Sequence, residues 1–181
     1  MLQEYSAWRV LRVFFDDPDP EELGLSLREV SRRSDLAHTS TKRHLQTLKD
    51  EDLVTVKRRE EGSRSYPVYR SNRRSEKFRQ LKALDMRHRI ETCGLLDEIE
   101  KEAAPDCIVL FGSAARGEDV RESDVDLYVQ SEEMELAFPE HEELLKRSIQ
   151  LHFQPEFNSY PDELKNNIVN GTVLRGYLKA Y

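Results

Sequence analysis

One stretch, Phe111 to Val129 reading FGSAARGEDVRESDVDLYV, restricts what this chain can fold into more than any other, because it couples an apolar run to a Gly-Ser turn and a spaced pair of acids. The run Cys107-Ile108-Val109-Leu110-Phe111 has strand length, so Gly112 and Ser113 are expected at the carboxyl end of a buried strand. Backbone N–H groups and a hydroxyl commonly hold phosphates at such a place. Ten residues further on comes Asp124-Val125-Asp126-Leu127. In an extended strand alternate side chains share a face, so Asp124 and Asp126 point one way while Val125 and Leu127 point into the core. Two hard carboxylates on one face suit Mg²⁺, which completes its octahedron with water and substrate phosphates.

Gly112-Ser113, Arg116-Gly117, Ser123 and Asp124-Val125-Asp126, all in register, resemble the signature of the minimal nucleotidyltransferases of the polymerase-beta-like superfamily. The resemblance covers roughly residues 104 to 181. It implies an α/β domain with a mixed sheet that binds Mg²⁺ with a nucleoside triphosphate, ATP foremost, and transfers a nucleotidyl group to an acceptor hydroxyl. Asp124 and Asp126 would be the catalytic metal ligands, with Gly112, Ser113, Arg116 and Ser123 around the nucleotide. Phosphate suits an arginine fork, although Arg116 is equally placed to pair with Glu118 or Asp119. Active members usually carry a third carboxylate on a later strand. Here Ile149-Gln150-Leu151-His152-Phe153 is the segment that should supply it, and its polar face offers only Gln150 and His152. A neutral imidazole can accept a proton, but neither residue is a carboxylate. Glu156 lies four residues beyond His152 as a loop acid.

The amino-terminal half reads differently. Residues 4 to 15 form an amphipathic helix with Trp8, Leu11 and Phe15 on one side, ended by Asp16-Asp17-Pro18-Asp19-Pro20. Ser26 and Glu29 fit a capping box at the head of a second helix. After the turn Ser34 to Ala37, a third helix follows from His38, with Thr41, Leu45 and Leu48 inward. Asp52 to Arg59 and Ser65 to Arg70 read as two strands around the polar turn Glu60 to Arg64. Helix, helix-turn-helix and basic hairpin resemble the winged helix-turn-helix domains of prokaryotic regulators. That resemblance places Thr39, Ser40, Lys42, Arg43 and Gln46 toward the major groove of double-stranded DNA, and Lys57, Arg58, Arg59 and Arg64 of the wing against phosphates.

Charge separates the halves in the same way. Residues 1 to 92 hold 20 Lys and Arg against 16 Asp and Glu, whereas the remainder holds 8 against 19. Between Lys42 and Arg89 the tally is 15 basic to 7 acidic, a field that draws a polyanion. The expected architecture is therefore α+β: a winged helix over 1–72, a connecting helix over 73–103 and a nucleotidyltransferase-like domain over 104–181. The connector carries Phe78, Leu81, Leu84, Met86, Ile90, Leu95, Leu96 and Ile99 at helical spacing, with a break expected at Thr92-Cys93-Gly94. Its stripe could pack on its own domains or pair two copies, and a homodimer is expected. Downstream, 138–147 and 161–170 read as helices, the latter behind the sheet, and 171–178 as a closing extended segment.

No apolar run approaches a membrane span. The opening Met1 to Tyr5 has neither the basic start nor the apolar core of a signal peptide, so a cytoplasmic protein is expected. Cys93 and Cys107 read as reduced thiols. Two functions stay open: an Mg-dependent nucleotidyltransferase linked to DNA, of a kind that would suit a toxin–antitoxin member modifying a partner protein, or a transcriptional regulator whose degenerate transferase domain only binds nucleotide or serves as a scaffold.

Overall fold

A computed structural model describes residues 5–16 and 24–179. The chain divides into two compact units, Met1–Lys82 and Ala83–Tyr181.

In the first unit, α1 (Ser6–Asp16) buries Val10, Leu11, Val13, Phe14 and Phe15. Asp17, Pro18, Asp19 and Pro20, expected to end this helix, lie outside the described residues. The short strand β1 (Leu25–Ser26) leads into α2 (Leu27–Ser34), and the capping box forms: Ser26 N–H donates to Glu29 Oε2 at 2.7 Å, and Glu29 N–H donates to Ser26 Oγ at 3.3 Å. These bonds satisfy donors that the first helical turn leaves orphaned. Asp35 follows with a left-handed backbone, and its side chain pairs with Arg9 of α1 at 3.0 Å. The turn delivers α3 (His38–Asp50), whose Thr41, Leu45 and Leu48 face inward as the spacing predicts. A hydrophobic core runs from α1 through Val30, Leu45 and Leu48 to Leu53, Val54 and Phe78. Each such residue contributes about 1.5–3 kcal/mol on burial.

The hairpin is β2 (Val54–Glu61) and β3 (Arg64–Ser71), and the connecting turn is shorter than its polar sequence suggests. Glu61 pairs with Arg64, so only Gly62 and Ser63 make the connection, with Gly62 at φ +59°. A positive φ near the hairpin tip is what a two-residue turn requires. β1 adds a third strand to this sheet, in the order β1-β3-β2. Two residues carry no alternation that would reveal a strand.

The stripe of the connector is spread over α4 (Glu76–Thr92) and α5 (Leu95–Ala103), separated at Cys93-Gly94 where Gly94 takes φ +90°. Phe78 and Leu81 join the first unit's core, whereas Met86, Ile90, Leu95, Leu96 and Ile99 join the second's. Only Leu84 of the stripe is exposed.

The second unit is a four-stranded mixed sheet in the order β6-β5-β4-β7, built from β4 (Cys107–Phe111), β5 (Val125–Val129), β6 (Ile149–Phe153) and β7 (Thr172–Gly176). β5 runs antiparallel to β4 and parallel to β6, and β7 runs antiparallel to β4. One face carries Ile108, Leu110, Val125, Leu127 and Val129 against α5, the second half of α4, Leu145 of α7 (Pro139–Leu145) and Ala114 of α6 (Gly112–Arg116). The other carries Cys107, Val109, Phe111 and Tyr128 against Phe157, and against Ile168 and Leu164 of α8 (Asp162–Val169). β4 is buried along its whole length because both faces are covered. The last helix therefore does not stand behind the sheet relative to the acidic pair: it covers the face to which Asp126 belongs. No helix among the described residues is long and apolar enough to cross a membrane.

Candidate functional site

Strand register assembles the site. Phe111 ends β4 directly opposite Asp126 of β5, and Asp126 in turn stands beside Gln150 of β6. Partners in register share a face. The chain leaves β4 at Gly112, whose φ is +72°, and enters α6 at once. A Cβ at residue 112 would lie 2.5 Å from Asp126 Oδ2. The carboxylate is thus packed onto the bare backbone of the turn, and only glycine leaves it room while adopting that φ. Asp124 lies one residue before β5, partly exposed at its mouth, and Asp126 is the second residue of the strand.

His152 completes the polar cluster. Its Nε2 lies 3.2 Å from Asp126 Oδ1, and its ring packs edge-on against Phe111 with centroids 5.0 Å apart. A carboxylate only accepts, so this contact places a proton on Nε2 and, in the neutral ring, leaves the lone pair on Nδ1. Gln150, across from Asp126, is exposed. Among the described residues no three His, Cys, Asp or Glu gather as a metal-binding group. The later strand supplies an imidazole where a third acid was sought.

The other expected phosphate neighbours divide. Ser113 lies in the first turn of α6, partly exposed. Arg116 is exposed and donates from Nε to Glu118 Oε2 at 2.8 Å, a surface pair that is cheap to break. Ser123 is engaged locally: its Oγ accepts from Val120 N–H at 2.9 Å. It shapes the loop before Asp124. A further pair had no signal in the sequence: Arg147 Nε and Nη2 both lie 3.1 Å from Asp119 Oδ2, with the two side chains essentially out of water. Spacing cannot distinguish a buried Asp or Arg from an exposed one, and 28 residues separate these.

On the same face burial pushes the Tyr128 hydroxyl far above its usual range, and the Cys107 thiol up to about 11, the neighbouring Asp106 adding to it. Neither is a nucleophile near neutral pH.

In the first unit, Thr39, Lys42, Arg43 and Gln46 project from the outer face of α3, with Ser40 half-buried. With Lys49, Val56 and Tyr69 they border an open groove of about 520 Å³ between α3 and the hairpin. Alternation along β2 puts Arg58 on the Val56 side, where its Nε donates to Ser65 Oγ at 2.9 Å, and turns Lys57 and Arg59 the other way. The wing therefore cannot lay all three cations on one surface. Arg64 opens β3, but its side chain lies outside what is described.

Residues 95–176 match the family described as Polymerase beta, Nucleotidyltransferase, and residues 7–58 match the IclR helix-turn-helix domain. The chain joins a nucleotidyltransferase domain to a helix-turn-helix domain. The first match takes in α5 and the whole mixed sheet, so Gly112, Asp124 and Asp126 fall within the nucleotidyltransferase domain. The second spans α1 to α3 and part of β2, which makes α3 the second helix of an IclR-type helix-turn-helix. No curated protein and no solved structure matches the chain.

Proposed function

We propose that this protein is an Mg²⁺-dependent nucleotidyltransferase that moves a nucleoside monophosphate from a triphosphate, ATP foremost, to an acceptor hydroxyl, while its winged helix holds it on DNA. The observation that carries this reading is the packing of Asp126 onto Gly112 at the end of β4, which a merely structural sheet has no need of. Asp124 and Asp126 would hold the metal, and their oxygen-only donor set fits Mg²⁺. When bound, the ion neutralises phosphate charge and orients the attacking and leaving oxygens. Amides of the Gly112-Ser113 turn and the Ser113 hydroxyl face a triphosphate. Arg116 reaches it by exchanging Glu118 for phosphate, and Ser123 acts through the loop that carries Asp124. His152 orients Asp126 by donating from Nε2.

The helix-turn-helix domain reads DNA through Thr39, Ser40, Lys42, Arg43 and Gln46, with Arg58, on the Val56 side of the wing, near the backbone. The protein acts in the cytoplasm, as a homodimer on two half-sites, and a partner protein is the acceptor in a toxin–antitoxin arrangement. A second reading is favoured by His152 standing where a third acid was sought: a regulator whose nucleotidyltransferase domain binds nucleotide without turning it over. Calorimetric titration of Mg·ATP into the wild type and into Asp124→Asn/Asp126→Asn tests both. Binding at micromolar concentration, lost in the variant, is expected. Binding that survives the double substitution sinks the site, and binding without label transfer to any cellular acceptor selects the second reading.

A further inference from the structure

The loop between α6 and β5 has to present Asp124, yet it has almost nothing apolar to hold it. Among residues 117–124 only Gly117 and Asp119 are buried, and glycine has no side chain to anchor. Its own bonds are short-range: Glu118 N–H to Ser113 O at 2.9 Å, Val120 N–H to Ser123 Oγ at 2.9 Å and Ser123 N–H to Val120 O at 3.1 Å. A long-range side-chain anchor of this loop is Asp119 on Arg147, with both side chains essentially out of water.

Arg147 is itself held. Its Nη1 donates to Lys146 O at 2.7 Å, and Lys146 takes a left-handed backbone at φ +58° as the chain leaves α7. Two residues on, Ile149 N–H donates to Glu142 Oε1 at 2.9 Å, and Val125 N–H donates to Ser148 O at 2.8 Å, the first bond between the β5 and β6 segments. The guanidinium therefore stands where the loop ending in Asp124 meets the strand that carries His152. Stability alone explains such a pair poorly, because apolar residues of similar volume often replace a buried ion pair at no cost. What they do not reproduce is direction: charge-assisted hydrogen bonds fix where a carboxylate sits.

We propose that Arg147, through its buried ion pair with Asp119, is a positioning residue that fixes the 117–124 loop and so places Asp124 for the nucleotide. The part concerning nucleotide rests on the function proposed above, whereas the part concerning the loop does not.

Arg147→Met alone would leave Asp119 buried and uncompensated, a change that commonly prevents folding. The test therefore uses the full chain as Asp119→Leu/Arg147→Met, with Arg147→Lys as the conservative variant. Hydrogen exchange at the amides of Glu118, Val120 and Ser123 is read beside calorimetric Mg·ATP affinity and the thermal midpoint. The double variant is expected to keep its midpoint, to exchange faster at these three amides but not in β4 or β5, and to bind Mg·ATP about tenfold more weakly, as losses of supporting groups around a metal site do. Arg147→Lys is expected to fall between it and the wild type. Wild-type exchange and wild-type affinity in the double variant would overturn the proposal. Faster exchange at unchanged affinity would overturn its nucleotide half. If the wild type itself binds no Mg·ATP, the function proposed above fails and exchange alone decides whether Arg147 fixes the loop.

Discussion

The two units place chemistry on their folds in opposite ways. In the helix-turn-helix unit the residues expected to act stand on the outer surface of α3 and the hairpin, and the fold beneath them is closed by Val10, Phe14, Leu45 and Phe78. In the nucleotidyltransferase unit the candidate groups are part of the packing: Asp126 lies on Gly112, His152 lies on Asp126 and Phe111, and Asp119 lies buried on Arg147. A site built on a solvated face can be altered without touching the fold. A site built from cross-strand packing cannot, so substitutions where Asp126 packs onto Gly112 should cost stability and binding together.

The strongest way to break this contrast is Gly112→Ala. An added Cβ meets Asp126 Oδ2 at 2.5 Å, on a backbone at φ +72°. Left-handed strain and overpacking each cost about 1–3 kcal/mol, so the thermal midpoint should drop by several degrees and Mg·ATP binding should vanish with it. A stable Gly112→Ala chain with intact binding would show that Asp126 is not confined.

Lys42→Ala/Arg43→Ala sharpens the contrast from the other side. The thermal midpoint should stay unchanged, while affinity for double-stranded DNA falls about tenfold or more and the slope of log affinity against log salt becomes shallower by about one to two. Loss of stability on removing these two exposed cations would place α3's outer face in the fold instead.

The smallest effect belongs to the capping box. Ser26→Ala should cost about 1 kcal/mol of stability, measured by urea titration. Glu29 is subject to some burial, which raises its carboxyl, but the Ser26 hydrogen bonds and then Arg33 and Arg32 outweigh it and hold the carboxyl below 4.5. A lowered folded-state value means that the box stabilises above the unfolded carboxylate range and is lost as pH falls through the folded value. Glu29→Gln should therefore lower stability at neutral pH and flatten the acid limb below about pH 4.5, so that variant and wild type converge in acid. An identical acid limb in the variant would remove Glu29 from the cap.

Much of this was legible in the residues. Thr41, Leu45 and Leu48 announce the inner side of α3, Ser26 and Glu29 announce the cap, and Cys107 to Phe111 announces a buried strand. Gly112, Asp124 and Asp126 carried the family resemblance that the match over 95–176 bears out. What failed to appear depended on partners far along the chain. β1 is two residues long and exists only through its pairing with Tyr69 and Val68. The hairpin turn shortened because Gly62 could take a positive φ. α8 covers the Asp126 face because β4 is apolar on both sides, and an all-apolar strand does not say which side a given helix will take.

Local pattern alone determined the elements, the two-part composition and the turn-plus-acids motif, because propensity, capping and alternation act over a few residues. Tertiary structure decided what surrounds each acid. Parallel pairing of β5 with β6 brought His152 to Asp126, and folding of the α7–β6 segment against the α6–β5 loop buried Arg147 on Asp119. Distances of about 3 Å between residues 26 and 28 positions apart are set by strand register and chain reversal, which no window of sequence encodes.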